Sequence, residues 1–349
     1  MTTSTNSTSP RATISIIIPV HNGGEAFRRC LSSLEQSSRP PDEVIVVADG
    51  DTDGSWQIAK ACGAQVLRYE SAGGPARARN RGAKAAKGDI LFFIDADVTV
   101  GPETIHGVDE AFQQDVNLAA LIGSYDDQPG AKNFLSQYKN LFHHYTHQVA
   151  SEQASTFWGA CGAIRAEVFE AVGRFDERYQ KPCVEDIELG YRLKRAGYRI
   201  RLCKHIQVKH LKCWQPLSLL RAEIFYRALP WTELILSQRQ PMTDLNLDRS
   251  NRLSVVLSFA LVGSLLAGWI HPFLWIVAVA MMVGLLGLNW PVYRFFYRQR
   301  GGFFTLRVIP WHWFYFLYGG GAFAYGSVAH RFRQLPLPAG SVLAPRTGR

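Results

Sequence analysis

The sequence predicts an α/β fold, a mostly parallel sheet crossed by helices, followed by a long apolar helical region. Three observations predict it. Short β-branched and aromatic runs recur at strand–helix–strand spacing. The strongest of them, Ile90-Leu91-Phe92-Phe93-Ile94, has no polar position and so reads as a strand covered on both faces. Charge then disappears, with no Lys, Arg, Asp or Glu between Arg252 and Arg294 or over residues 308–329. A length of 349 residues leaves room for one α/β domain and a second region.

Taken in order, Ile14-Ser15-Ile16-Ile17-Ile18 closes at Pro19 and reads as the first, central strand. His21-Asn22-Gly23-Gly24 turns the chain, and Phe27, Cys30, Leu31 and Leu34 fall at helical spacing until Arg39-Pro40-Pro41. Val44-Ile45-Val46-Val47 is the second strand, and the right-handed crossover between the two makes them parallel. A helix over 56–61, a strand over 65–68 and a helix reaching Ala86 lead to the apolar strand. Beyond it, residues 133–149 form a helix, and an acidic helix start at Glu185-Asp186 runs to Arg195. Residues 199–203 and 206–209 read as two terminal strands.

Chemistry gathers where strands end. Asp95 and Asp97 follow the apolar strand, and because side chains alternate along an extended chain they are expected to point the same way at the carboxyl edge of the sheet, where open α/β folds bind ligands. Two carboxylates there suit Mg²⁺ or Mn²⁺, with a diphosphate filling the remaining positions; alternatively they only cap a turn. Asp49 ends the second strand and reaches the same edge, again as a site acid or a turn acid. Gly73-Gly74-Pro75-Ala76-Arg77-Ala78-Arg79-Asn80-Arg81 offers backbone N–H groups and guanidinium to a phosphate, or is a solvated helix face. Glu185 and Asp186 sit in a first helical turn, whose dipole favours the ionised carboxylate and so suits a general base as well as an ordinary helix start. His143, His144 and His147 lack a Glu or Cys to complete a metal set and read as surface or interfacial residues.

The formal charge of +9 and pI near 9.3 do not indicate nucleic acid, because many Arg residues flank apolar runs and no basic stripe lies on a recognisable module. Six Cys without a Cys-x-x-Cys pair read as reduced, mostly core residues. Met1 to Pro10 is polar, so the first domain is expected in the cytoplasm. Residues 216–252 mix Arg, aromatic and apolar positions as an interfacial helix does, and residues 253–270, 273–293 and 308–329 are long enough to span a bilayer. Gly319-Gly320-Gly321, in the middle of the third, fits either close helix packing or the tip of a re-entrant hairpin.

These motifs in this order resemble the nucleotide-sugar-dependent glycosyltransferases of family 2, which have the GT-A fold. The resemblance covers about residues 13–210. It rests on the opening strand through Pro19 to Asn22, on Asp49-Gly50, on Ala78-Arg79-Asn80-Arg81-Gly82, on Asp95-Ala96-Asp97 and on Glu185-Asp186. Ala48 departs from it, standing where the family carries a first acid. The resemblance implies that Pro19, Asp49, Arg79 and Asp95 contact the nucleotide-sugar and that Asp95, Asp97 and His210 serve the metal. It also implies that Asp186, beside Glu185, is the base of an inverting transfer.

The expected organisation is a tail over 1–12, a GT-A domain over 13–215, interfacial helices over 216–252, a transmembrane region over 253–330 and a tail over 331–349. The expected activity is hexosyl transfer, in EC class 2.4, from a nucleotide-sugar to a hydroxyl or phosphate on a membrane lipid, at the inner face of a plasma membrane. The alternatives are a non-catalytic sugar-nucleotide-binding membrane protein and a processive polysaccharide synthase. The second lacks its Gln-x-x-Arg-Trp segment here, since Arg227 and Trp231 are not adjacent.

Overall fold

The computed structural model describes residues 11–237 and 249–332. The chain runs β1 (Ile14–Val20), α1 (Gly24–Glu35), β2 (Glu43–Asp49), α2 (Ser55–Ala61), β3 (Gln65–Tyr69), α3 (Pro75–Ala85), β4 (Ile90–Ile94), β5 (Val98–Val100), α4 (Thr104–Gln114) and β6 (Ala120–Tyr125). It continues with α5 (Phe134–Val149), β7 (Gln153–Ala154), β8 (Cys161–Arg165), α6 (Ala166–Ala171), α7 (Glu185–Arg195) and β9 (Ile200–His210). The helices α8 (Pro216–Arg221), α9 (Leu229–Ser237), α10 (Arg249–Ala267), α11 (Phe273–Leu288) and α12 (Trp290–Phe332) complete it, with a π-helix at Ala222–Ala228 joining α8 to α9.

Among the described residues the strands form one sheet in the order β3-β2-β1-β4-β8-β6-β9-β5, with β7 beside β9. The first four are mutually parallel, whereas β8 runs antiparallel to both β4 and β6, and β5 antiparallel to β9. The sheet is therefore mixed. The apolar strand β4 sits between β1 and β8 with all five residues buried, as a strand covered on both faces requires. The two expected terminal strands are one continuous strand, β9.

The chain divides into two compact units that interleave along the sequence. The first holds 1–124, 152–180 and 185–211, and the second 125–151, 181–184 and 212–349. This differs from a single boundary at 215, because α5 belongs with the later helices. Its Tyr138, Leu141 and Phe142 share a buried cluster with Tyr293, Phe296 and Val308.

Among the described residues one helix, α10, is long and apolar enough to cross a membrane, while α11 and α12 pass that test only together, across a bend of 65°. The segment 273–293 is thus not one straight helix. Pro291 has no N–H to donate and its ring would crowd the preceding turn, so α11 stops at Leu288, capped by Asn289. Gly301, with φ at 79°, breaks α12 in a conformation that glycine adopts without strain. Gly319 to Gly321 lie inside the helix that follows, and no hairpin tip forms there. A Cβ on Gly320 would stand 2.5 Å from Val255 Cγ1 of α10, so close helix packing accounts for this glycine.

Candidate active site

The sheet ends its buried run at Ile94, and the acids follow in a turn closed by Val98 N–H donating to Asp95 O at 3.1 Å. Strand alternation therefore does not orient Asp95 and Asp97; the turn does. Asp95 faces the protein, where its Oδ1 accepts from Arg79 Nη2 at 2.7 Å. Asp97 faces β9: its carbonyl accepts from Leu211 N–H at 2.8 Å, and its Oδ2 stands 3.6 Å from His210 Nε2. Behind the turn, burial and the charges of Asp97 and Asp95 push the Cys30 thiol pKa well up, keeping it neutral.

The Ala-Arg-Asn-x-Gly segment on α3 has a separate use for each marked residue. Arg79 is buried and donates to Glu185 Oε1 at 2.8 Å as well as to Asp95. Burial alone would favour loss of its proton, but Asp95, Glu185 and Asp186 outweigh that and hold its pKa above the ordinary value. Asn80 clasps Phe175 by accepting from its N–H at 3.0 Å and donating to its carbonyl at 2.9 Å. Gly82 lets the helix approach Ile17 of β1 and Val47 of β2. The guanidinium of Arg79 thus stands behind two carboxylates and joins the Asp-x-Asp turn to the start of α7.

At that start the two acids diverge. Glu185 is buried in its ion pair with Arg79. Asp186 is half-buried; its Oδ2 accepts from Gly159 N–H at 3.1 Å and its Oδ1 from Ile187 N–H at 2.8 Å. The Gly159 contact was not legible in the sequence.

Asp49 ends β2, and its Oδ2 accepts from Gly73 and Gly74 N–H, each at 2.8 Å. Its buried Oδ1 takes no hydrogen bond and lies 3.9 Å from Arg81 Nη1, whose guanidinium covers the Tyr69 ring at 3.3 Å. Gly74 has φ at 91° and abuts the Gln180 carbonyl, where any side chain would collide. Pro19 lies half-buried in β1, in register with Val47. His21, which the sequence marked only as a turn residue, meets the Asp49 carbonyl through Nδ1 at 2.8 Å.

A hard divalent cation fits part of this set. Asp97 and His210 approach each other as an oxygen and a nitrogen donor, but Asp95 gives Oδ1 to Arg79. Among the described residues no group of three His, Cys, Asp or Glu side chains would hold an ion unaided. Two protein donors with the rest from phosphate is the ordinary arrangement for Mg²⁺. His144 and His147 are buried and not on the surface: His144 Nδ1 meets the Tyr125 carbonyl at 2.6 Å, and the His143 and His147 rings lie 4.2 Å apart.

The glycosyltransferase YibD of Escherichia coli, itself described as uncharacterized, is 36% identical over 113 residues, which is 30% of this chain and 32% of that protein. Glycosyltransferase GlyG of Streptococcus pneumoniae is 32% identical over 117 residues, 32% of this chain and 38% of that protein. The chain spans about a third of the length of these curated relatives. A solved mannosyltransferase, PcManGT from Pyrobaculum calidifontis in complex with GDP-Man and Mn2+, superposes with a TM-score of 0.57 over 93% of this chain and 88% of that one. At 14% identity this is a likeness of fold. Residues 15–173 match the family model Glycosyl transferase family 2.

Proposed function

We propose that the protein is a membrane-anchored inverting glycosyltransferase that moves a hexosyl group from a nucleoside-diphosphate sugar to a hydroxyl or phosphate of a membrane lipid. The observation that carries this reading is the Arg79 bridge, which gathers the Asp-x-Asp turn and the acids of α7 at one place. Asp49 Oδ1, buried without a hydrogen bond, would take an N–H of the nucleobase. Asp97 and His210, with Asp95 beside them, would hold Mg²⁺ or Mn²⁺, which when bound supplies positive charge against the diphosphate. Asp186 would accept the proton of the acceptor oxygen as that oxygen bonds to the anomeric carbon and the bond to the diphosphate breaks on the opposite face.

The anchor is supported by the outer sides of α10 and α11. Val256, Phe259 and Leu266 on one helix and Ile276, Val279 and Val283 on the other are exposed, which suits contact with lipid better than with water. Trp269 and Trp275 pair at the connecting turn, as interfacial aromatic residues do.

A panel of nucleotide-sugars screened for thermal stabilisation in the presence of Mn²⁺, followed by a transfer assay with membrane lipid, tests the reading. One donor should both stabilise the protein and release its nucleoside diphosphate when lipid is added. Stabilisation without any release would favour the non-catalytic sugar-nucleotide-binding protein.

A further inference from the structure

Arg79 does not take the place that the resemblance gives it. A residue that contacts the nucleotide-sugar has to offer N–H groups to a ligand, but the Arg79 side chain is only 5% exposed and both of its terminal nitrogens are engaged within the protein. Nη2 donates to Asp95 of the Asp-x-Asp turn and Nη1 to Glu185 at the start of α7, which lie 16 and 106 positions away in the chain. The surroundings hold the guanidinium in one orientation. Its Cζ lies 5.4 Å from the centroid of the Phe175 ring, and Asn80, the next residue of α3, bonds both the N–H and the carbonyl of Phe175. Gly159 lies against the same group: a Cβ there would stand 2.8 Å from Cζ and from Nη2. The N–H of that glycine donates to Asp186 Oδ2 at 3.1 Å. Arg79 therefore reaches Asp186 by two routes, through the adjacent Glu185 to which it is bonded and through the Gly159 backbone packed against it.

A lysine could neutralise either carboxylate, but one ammonium on a flexible stem cannot donate along two fixed directions as a planar guanidinium does. The fork fixes the spacing between the Asp-x-Asp turn and the start of α7. We propose that Arg79 is a positioning residue for the transfer, one that touches neither substrate and sets the place of Asp186 relative to the turn that carries Asp95. This rests on the roles given above to Asp95 and Asp186, and adds that a cation out of the ligand's reach holds them in register. Displacing a reacting group by about 1 Å costs about 100-fold in rate, so the loss of this register falls on the chemical step and not on donor binding.

The test measures kcat and the donor KM of the full chain in the transfer assay, with circular dichroism and the melting temperature to confirm folding. Arg79→Lys keeps the charge and loses the fork. Its kcat should fall at least about tenfold while the donor KM changes by less than about threefold. In an Asp186→Asn background no base is left to misplace, so Arg79→Lys should slow the residual transfer by less than about threefold more. Gly159→Ala removes no charge and crowds the guanidinium; it is the second variant should Arg79→Lys unfold, and it should lower kcat in the same way. A raised donor KM with kcat unchanged would return Arg79 to the donor-binding residues and overturn the proposal. Equal losses of kcat in both backgrounds, which mark a merely structural role, overturn it as well, and so does a native kcat in a folded variant. Each of these outcomes leaves the transfer standing, whereas a native chain that transfers no sugar removes the proposed function and this role together.

Discussion

Arg79 Nη1 donates to Glu185 Oε1 at 2.8 Å, and this bond separates two carboxylates that are adjacent in sequence. Glu185 is buried as a counterion, while Asp186 stays half-buried on two backbone N–H bonds. Asp186→Asn is therefore expected to keep donor binding and lose transfer by about 100-fold or more, since an amide cannot take the proton. Glu185→Gln should instead lower stability, by about 3 kcal/mol on the scale of a broken buried ion pair. Single-turnover kinetics and chemical denaturation on both variants separate these outcomes. Normal transfer in Asp186→Asn with loss in Glu185→Gln would make Glu185 the base.

Asp97→Ala should abolish transfer and leave the fold intact, because Asp97 is partly exposed and its buried neighbours hold the turn without it. A chelator should do the same to the native protein, reversibly on adding Mn²⁺. Full turnover in excess chelator would remove the metal from the scheme.

Much of this site was legible because its elements are local. The opening strand, its crossover and the acids at strand ends follow from apolar runs and turn residues, and Asp49 and Asp95 follow β2 and β4, the two strands that flank β1. What stayed hidden depends on residues far apart in the chain. Arg79 meets Glu185 106 positions away, and Gly159 meets Asp186 27 positions away, and no periodicity encodes either contact. The same holds for α5, whose helical pattern was clear but whose apolar side belongs to the later helices. The bend within the segment 273–293 has a local cause that hydropathy averages out, a single proline near its end.

Asp49→Ala should weaken nucleotide binding at least about tenfold and cost about 1–2 kcal/mol of stability, as Gly73 and Gly74 lose their acceptor. Calorimetric titration with a panel of nucleoside diphosphates measures the first effect. Unchanged affinity with lowered stability would make Asp49 an anchor of the glycine turn alone.

Asp109 gives a pH dependence with a definite sign. Burial pushes its carboxyl pKa up, but Arg39, Gln113 and Arg11 outweigh this and hold it below its ordinary value. A pKa lowered by folding stabilises the protein above the unfolded value, about 3.9, and that gain is lost as pH falls through the folded value. Asp109→Asn should therefore be less stable than the native chain at pH 7, and the gap should close as the pH drops below about 4. A gap that is constant from neutral to acid pH in denaturation experiments would show that charge is not the cause.

The third apolar segment, 308–329, is expected to span the membrane and leave the C-terminus outside. In the proposed arrangement the catalytic domain lies in the cytoplasm, α10 starts on that side, and the α10–α11 pair would return the chain to it, where Arg294, Arg298, Arg300 and Arg307 favour a cytoplasmic position. From there the chain is helical through Gly319 to Gly321, so its backbone groups are satisfied internally, as the hydrocarbon core demands. At about 1.5 Å per residue the segment covers about 30 Å, one crossing. Against this stand Arg331, Arg333, Arg346 and Arg349, which would lie on the outer side. A Cys introduced at Ser341 in a Cys-free background, probed in intact cells with a membrane-impermeant thiol reagent, discriminates the two arrangements. Labelling of intact cells is the expected result; labelling only after lysis would keep the C-terminus in the cytoplasm and reduce this region to an even number of crossings.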